Sequence, residues 1–410
     1  MINLYIVDNK ASRSSVYGIG TYINQLAISL IKNDIHVNFI HLNSEALRFF
    51  TKIENGVTHW NIPSPKMKYK DEEKHNNFYF KNVSFILRQN IKQTDNLIFH
   101  INYTNCKPLA DVLKASFNCK IVLTVHYFSW CFDMLGNISR FRNLIGKPES
   151  KLDNLGKQVK KSFNDEKESL CFVDKVLSLS KHDAKIIQQI YKVKKQNISI
   201  IPNGLEDKAQ KGFDRELIRR KYYLPVNTQI IIFAGRLDPV KGLSFLINAL
   251  KNVLNKYPDC HLVVAGSGDF DTCMKVSSNR WMNIHFTGLL EKKELYELYS
   301  IADIGVMSSL YEPFGYVAIE MMMHGLPVIV TKTGGLNEIV EDGISGLKVQ
   351  VRTIKGQRQT VVKQLEEKIC LLLENPGYAK EIGENGRKRF LEKFELSIFK
   401  EKMLNLYNNL

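Results

Sequence analysis

The sequence predicts two α/β domains, each built on a doubly wound parallel sheet. Three observations carry that expectation. Short, continuous apolar runs alternate with helix-like segments along most of the chain, as strands covered by helices on both faces require. The pattern is laid down twice, with a turn cluster of Pro202, Asn203 and Gly204 between the two halves. A length of 410 residues, with 44% hydrophobic and 24% charged residues, suits two or three ordinary domains with real cores.

In the first half the strands are read at INLYIV (2–7), HVNFIHL (36–42), NLIFHI (96–101), CKIVLTVH (119–126) and KVLSLS (175–180). Between the first two, YINQLAISLIK (22–32) puts Ile23, Leu26, Ala27 and Leu30 on one helical face. The second half repeats the style at QIIIFAG (229–235), CHLVVAG (260–266), NIHFTG (283–288), DIGVMSS (303–309) and PVIVT (327–331). Residues 62–78 and 136–167 are polar, basic and weakly periodic, and read as long loops or surface helices. The last segment, 376–410, is helical and rich in alternating charge. No internal repeat stands out beyond the common α/β plan.

The net charge of +15 favours an anionic partner: a phosphorylated small molecule, a nucleic acid or an anionic membrane surface. Basic and aromatic residues do not interleave in any recognisable nucleic-acid motif, so that partner is set aside. The seven cysteines are odd in number and none has CxxC spacing, which fits free thiols in a reducing cytoplasm and disfavours a zinc site. MINLYIVDNK reads as a first strand, not a signal peptide. The most apolar stretch, 121–132, is too short to span a bilayer and contains His126. A soluble or peripheral protein is expected.

In a parallel α/β sheet, ligands collect at the carboxyl ends of the strands, where helix N-termini aim free N–H groups. The junction FAGRLDPVKG (233–242) places Arg236 and Lys241 there. A planar guanidinium and a compact ammonium can grip a diphosphate; ordinary surface salt bridges are the alternative. In YEPFGYVAIEMMMHG (311–325), Pro313 and Gly315 break the chain ahead of a helix. The amides around Phe314, Gly315, Tyr316 and Val317 make an anion site, and Glu312 stands just before it. Glu320 lies among apolar neighbours. Burying a lone carboxylate costs several kcal/mol, roughly, unless it accepts donors such as a ribose diol. Pairing with Lys or Arg, or a favourable place in the helix dipole, explains it equally well.

Three further stretches are weaker. In YGIGTY (17–22), Gly18 and Gly20 allow close approach to a phosphate just before a helix, although no GxGxxG or P-loop is present. In AGSGDFD (265–271), Gly266 and Gly268 close a strand and leave room for a flat base. Asp269 and Asp271 there read as a solvated turn, not a metal site. In TVHYFSW (124–130), His126 ends a strand and is expected to face the ligand side, with a purely structural histidine as the alternative.

These motifs, taken in order, resemble the family 4 retaining glycosyltransferases of GT-B fold. The set is IPNG (201–204), GRLDPVKG (235–242), AGSG (265–268), SLYEPFG (309–315) with a Glu eight residues after Glu312, HGLPVI (324–329) and GGLNEIVEDGISGL (334–347). The match is strong over 229–350 and loose in the first domain. It implies two Rossmann-like domains facing each other across a cleft: an acceptor-side domain at 1–203, a donor-binding domain at 204–390, and a terminal helix at 391–410 crossing back. It implies that Arg236 and Lys241 hold the donor diphosphate, that Glu312 meets sugar hydroxyls and Glu320 the ribose, and that His126 lies near the reacting centre. The Gly18–Gly20 loop would close over the phosphates, though Tyr17 replaces the family's usual first glycine.

The expected function is therefore retaining transfer of a sugar, with UDP as the expected nucleotide, to an acceptor hydroxyl in cell-surface glycan or polysaccharide synthesis. The resemblance implies no metal and no cofactor, since the nucleotide-sugar is a substrate. Glycan, lipid-linked and protein acceptors are all open, and the basic first half is compatible with peripheral contact at the inner membrane face. Two other classes remain: a nucleotide-sugar epimerase of similar shape, and an inactive scaffold that kept the fold. Product analysis without an acceptor separates the first, and failure to bind nucleotide marks the second.

Overall fold

The computed structural model describes residues 1–9, 18–31, 35–65, 72–92, 94–209, 212 and 214–410. The chain divides into two units. The first comprises Met1–Ser129, Arg142–Gly204 and Leu396–Leu410; the second comprises Trp130–Phe141 and Leu205–Glu395.

The first unit is built on eight strands: β1 (Ile2–Asn9), β2 (Ile35–Ser44), β3 (Phe50–Glu54), β4 (Val57–Pro63), β5 (Leu97–Ile101), β6 (Cys119–Val125), β7 (Lys175–Ser178) and β8 (Ile198–Ile200). Their order is β3-β4-β2-β1-β5-β6-β7-β8. All neighbours are parallel except β3, which turns back on β4 through Asn55–Gly56. That hairpin is absent from the sequence reading because β3 is exposed throughout and carries no apolar run. The central strands are buried on both faces, as the continuous runs require: β5 has no exposed residue.

The first helix spans Gly18–Leu30 and buries Ile19, Tyr22, Ile23, Leu26 and Leu30. It starts earlier than the apolar pattern suggests, so Gly18 and Gly20 lie inside its first turn and not in a loop ahead of it. Tyr17 lies outside the described residues. Residues 62–78 contain the end of β4 and the start of a helix, Glu72–Asn90. The basic stretch 136–167 forms the helix Ile138–Ile145 and most of another, Asn154–Phe172, which is N-capped by Asp153.

The second unit carries β9 (Ile230–Ala234), β10 (His261–Ala265), β11 (Ile284–Gly288), β12 (Ile304–Met307), β13 (Val328–Thr331) and β14 (Leu347–Val349). They are parallel and run in the order β11-β10-β9-β12-β13-β14, the doubly wound arrangement in which strand order reverses once. The reversal falls between β9 and β12. A two-stranded hairpin, β15 (Val351–Ile354) and β16 (Gln357–Thr360), follows. The core beneath one face joins Ile231, Phe233, Leu262, Val264, Ile304 and Ile329 of the sheet to Leu246, Leu250 and Val253 of the helix Leu243–Lys256. Those three helical positions recur at intervals of four and three, so one stripe meets the sheet. Burying each such side chain contributes about 1.5–3 kcal/mol before chain entropy is subtracted.

Candidate functional site

The reversal point of the second sheet brings together the loops that follow β9 and β12. Past Ala234 the chain turns at Gly235 and reaches a short 3-10 turn, Pro239–Lys241, which ends at Gly242 in the left-handed region (φ 68°). A Cβ on Gly242 would stand 2.1 Å from the carbonyl oxygen of Ser308, the first residue beyond β12. The two loops are then bolted by Ser308 Oγ donating to the Gly242 carbonyl (2.9 Å) and Leu310 N donating to the Val240 carbonyl (2.7 Å). This close approach is what sets Lys241 against Glu312: Nζ and Oε2 are 2.5 Å apart, and neither side chain is more than 21% exposed.

The stretch from Ser308 to Gly315 is held from outside as well. Thr360 donates to the Ser308 carbonyl (3.0 Å), Thr333 to that of Leu310 (2.9 Å), and Gly335 N to that of Glu312 (2.8 Å). Gly334 and Gly335 permit this contact, since a Cβ on either would lie within 2.5 Å of the 312–313 backbone. The helix Tyr316–Met323 then begins from Gly315 at φ 119°. Phe314 is buried against Phe394, so at that position only the backbone is free to meet a ligand. The amides of 314–317 lie at the start of the helix, with the orphan N–H groups that every helix start carries.

One turn further along, Glu320 has no solvent exposure. Its Oε1 meets the ammonium of Lys292, at the start of the helix Lys292–Ile301, while Oε2 is buried and has no hydrogen-bond partner. Burial, and then the charge on Glu320, push the Tyr299 phenol well above its usual range. His324 Nδ1–H donates to the Glu320 carbonyl (2.8 Å), and burial lowers its pKa. A buried carboxylate with one lysine and one oxygen short of a donor is a costly arrangement.

Arg236 lies on the same carboxyl edge. Its guanidinium pairs with Asp238 (2.9 Å) and sits over the Phe132 ring, 5.4 Å from the centroid. Phe132 belongs to Trp130–Phe141, the segment that packs on the second unit. Trp130 stacks on Phe141 there, and Arg358 of β16 donates to the Gly136 carbonyl (2.6 Å). Gly266 and Gly268 serve the backbone. A Cβ on Gly266 would come within 1.8 Å of the Gly235 oxygen, and one on Gly268 within 2.9 Å of Leu237. They allow the loops after β9 and β10 to pair, with Leu237 N donating to Ser267 O (2.9 Å). Asp269 caps the next helix through Thr272 N (3.0 Å). No group of three or more His, Cys, Asp or Glu among the described residues could hold a metal ion.

The first unit has its own polar cluster where its strand order reverses, at the ends of β1, β5 and β6. His126 Nε2 bonds to Asn102 Oδ1 (3.0 Å), and the ring meets Tyr22 edge-on at 4.7 Å. The Asn102 amide nitrogen faces the carbonyls of Val7 (3.4 Å) and His100 (3.3 Å), which fixes its oxygen toward the histidine. His126 is therefore the Nε2–H tautomer. Behind it runs a buried chain, Tyr407 to His100 (2.6 Å), His100 to Thr124 (2.6 Å) and Thr124 to Tyr22 (3.2 Å). Glu166, also buried, accepts from Ser129 N (2.9 Å), Ser129 Oγ (2.7 Å) and Tyr191 (2.5 Å), and ties the loop after β6 to the helix Asn154–Phe172. Sequence reasoning missed His100, Asn102 and Glu166; the one signal was a histidine inside the apolar run NLIFHI. Lys292 carried none.

Burial holds both His100 and His126 down to about 3; the charge on Asp8 opposes this at His126. Both are neutral at pH 7. Their folded values lie below the unfolded value of 6.5, so the unfolded chain takes up the protons first. Stability is thus full above that pH and falls as pH drops toward the folded values, by about 1.4 kcal/mol per pH unit for each proton. Urea melts at pH 7 and pH 5 should show this loss, and His100→Gln should flatten the pH dependence.

Two family models match nearly end to end: "Glycosyltransferase Family 4" over residues 16–208 and "Glycosyl transferases group 1" over 214–389. An uncharacterized glycosyltransferase of Methanocaldococcus jannaschii is 29% identical over 241 residues, 57% of this chain and 59% of that protein. The D-inositol 3-phosphate glycosyltransferase of Corynebacterium jeikeium is 33% identical over 165 residues, 37% of this chain and 39% of that one. The chain thus spans less than two thirds of the length of these relatives. Among solved structures, the sucrose-phosphate synthase of Thermosynechococcus elongatus matches with a TM-score of 0.75 at 21% identity, over 100% of this chain and 99% of that one. The Anabaena protein HepE, in complex with UDP and glucose, matches with a TM-score of 0.72 at 15% identity over the whole of both chains.

Proposed function

Because the chain belongs to the family 4 type of glycosyltransferases with the GT-B fold, we propose that it moves a sugar from a nucleoside diphosphate, UDP, to an acceptor hydroxyl with retention of configuration. Its place is in surface glycan or polysaccharide synthesis, with a glycan or lipid-linked acceptor. The observation that carries the reading is the Lys241–Glu312 pair at the β9–β12 reversal, with Arg236 on the loop after β9 and the 314–317 amides and Glu320 on the segment after β12. The UDP complex of HepE supports the choice of nucleotide.

The chemistry follows from the charges. A diphosphate takes Lys241 and Arg236, and Glu312 is released from its ion pair to accept hydrogen bonds from sugar hydroxyls. Glu320 Oε2 receives a ribose hydroxyl while Oε1 keeps Lys292. The acceptor oxygen bonds to the anomeric carbon as the bond from that carbon to the phosphate oxygen breaks. The departing phosphate oxygen takes the acceptor's proton. Negative charge grows on that phosphate, and the cations and helix amides stabilise it without a metal. His126, held neutral, orients the sugar by hydrogen bonding and is not a charged acid.

A melting screen with UDP, GDP and ADP tests the donor, since a ligand of the folded state raises the midpoint; a rise only with UDP is expected. Glu312→Ala and His126→Ala should lower turnover roughly a hundredfold while changing UDP affinity less than tenfold, because their contacts are with the sugar. Chelator should leave turnover unchanged. NMR of the product should show the donor's anomeric configuration.

A further inference from the structure

Glu166 is a buried carboxylate that the transfer chemistry does not use. It sits on the helix Asn154–Phe172 and is 2% exposed. The bonds it accepts all come from neutral donors. Oε1 takes Ser129 N (2.9 Å), Ser129 Oγ (2.7 Å) and Thr104 Oγ1 (3.4 Å), and Oε2 takes the Tyr191 phenol (2.5 Å). Burying a carboxylate costs folding free energy, and apolar side chains of similar volume often serve stability as well. What four convergent donors supply is fixed geometry. Thr104 lies two residues beyond Asn102, and Ser129 three beyond His126. Glu166 therefore clamps both loops that carry the Asn102–His126 bond. The sheet pairs β5 with β6 only as far as Ile101 and Leu123, so past that point the loops need another tie. The same helix holds the first loop again: Ser169 Oγ accepts from Cys106 N and Lys107 N (both 3.1 Å), where the helix Lys107–Ser116 begins. Tyr191 is itself held, with its ring 5.0 Å from those of Phe128 and Phe163.

We propose that Glu166 is the positioning residue for His126: by locking the two loops it sets the tautomer and the direction of that ring, and it touches no substrate itself. The role in transfer rests on the reading of His126 as the residue that orients the sugar. Asn102 keeps His126 in the Nε2–H form only while its oxygen stays 3.0 Å from the ring. Loosening the clamp lets water reach the imidazole. Its pKa then rises from about 3 toward the ordinary 6.5, because burial is the main cause of the low value. Asp8 is the charge that acts on the ring and favours its protonation, while His100 and Tyr22 beside it are neutral.

The test is histidine nitrogen-15 NMR of the full chain, with the His126 signals assigned by their loss in His126→Ala. Wild type should show one neutral Nε2–H ring that does not titrate from about pH 7.5 to about pH 5. In Glu166→Gln the amide cannot accept from both Tyr191 and Ser129, and in Ser129→Ala the 2.7 Å bond is gone. Both variants should show mixed tautomers and a ring that titrates above about pH 5. Their melting points and UDP-induced shifts report that they are folded and bind the donor nucleotide. Release of UDP from UDP-glucose gives the second readout. Glu166→Gln should slow it about tenfold at unchanged UDP affinity, and adding it to His126→Ala should slow that variant no further. A residue that only stabilises the fold would cost the same in both backgrounds. A tautomer and titration unchanged in both folded variants, or an additive loss in the double variant, overturns the inference while leaving the transfer reading in place. A wild-type rate in His126→Ala contradicts the reading of His126 and removes the role of the clamp with it.

Discussion

Lys241→Ala is expected to lower the affinity for UDP about a hundredfold, the loss of one charge-assisted contact to phosphate plus the cost of an uncompensated neighbour. The second part comes from the geometry. Lys241 is 2.5 Å from Glu312, and removing the ammonium leaves a carboxylate facing the diphosphate. A charge with its partner deleted costs more than the pair contributed. Glu312→Gln in the Lys241→Ala background should therefore recover part of the lost affinity, while the same change alone leaves UDP binding near wild type. Titration calorimetry on the four proteins measures this. If the second change gives no recovery, the Glu312 carboxylate does not face the diphosphate.

Gly266→Ala should be the most damaging single methyl in the second unit. Its φ of 151° is a region that side chains rarely adopt, and the new carbon would meet the Gly235 carbonyl oxygen at 1.8 Å. The backbone cannot yield there without breaking bonds on both sides: Gly235 N to Ala265 O (2.9 Å) and Gly266 N to Gly288 O (2.8 Å). A loss above about 3 kcal/mol is expected, with a melting point lower by roughly ten degrees. Gly288→Ala is the control. Its φ is also positive, at 74°, but nothing lies within 4 Å of the added carbon. It should cost only the left-handed penalty of about 1–2 kcal/mol. Equal effects from both would mean that the loop contact at Gly235 is not needed.

The parallel sheets were legible because their strands are buried on both faces. An apolar run such as QIIIFAG needs no partner to be recognised, and its strand is observed at Ile230–Ala234. The exposed hairpin strand Phe50–Glu54 has no such mark. At the second unit's sheet edge, the residue types at strand ends pointed to Arg236, Lys241, Glu312 and Glu320. The sequence could not show that Lys241 and Glu312 bond to each other, since that depends on Gly242 passing within van der Waals reach of Ser308. Nor could it show Lys292 reaching Glu320 from another helix. The glycines of AGSG read as room for a base, and in the structure they let one loop pass against another. In the first unit, His126 stood out at the end of a strand, but the support behind it comes from distant segments: Tyr407 and His100 lie 307 residues apart.

The most direct measurement is the structure of the protein crystallised with UDP. The account predicts phosphate oxygens within hydrogen-bond distance of the Arg236 guanidinium and Lys241 Nζ, with a ribose hydroxyl on Glu320 Oε2. A nucleotide on any other surface, or Lys241 still closed on Glu312 with UDP bound elsewhere, would contradict it.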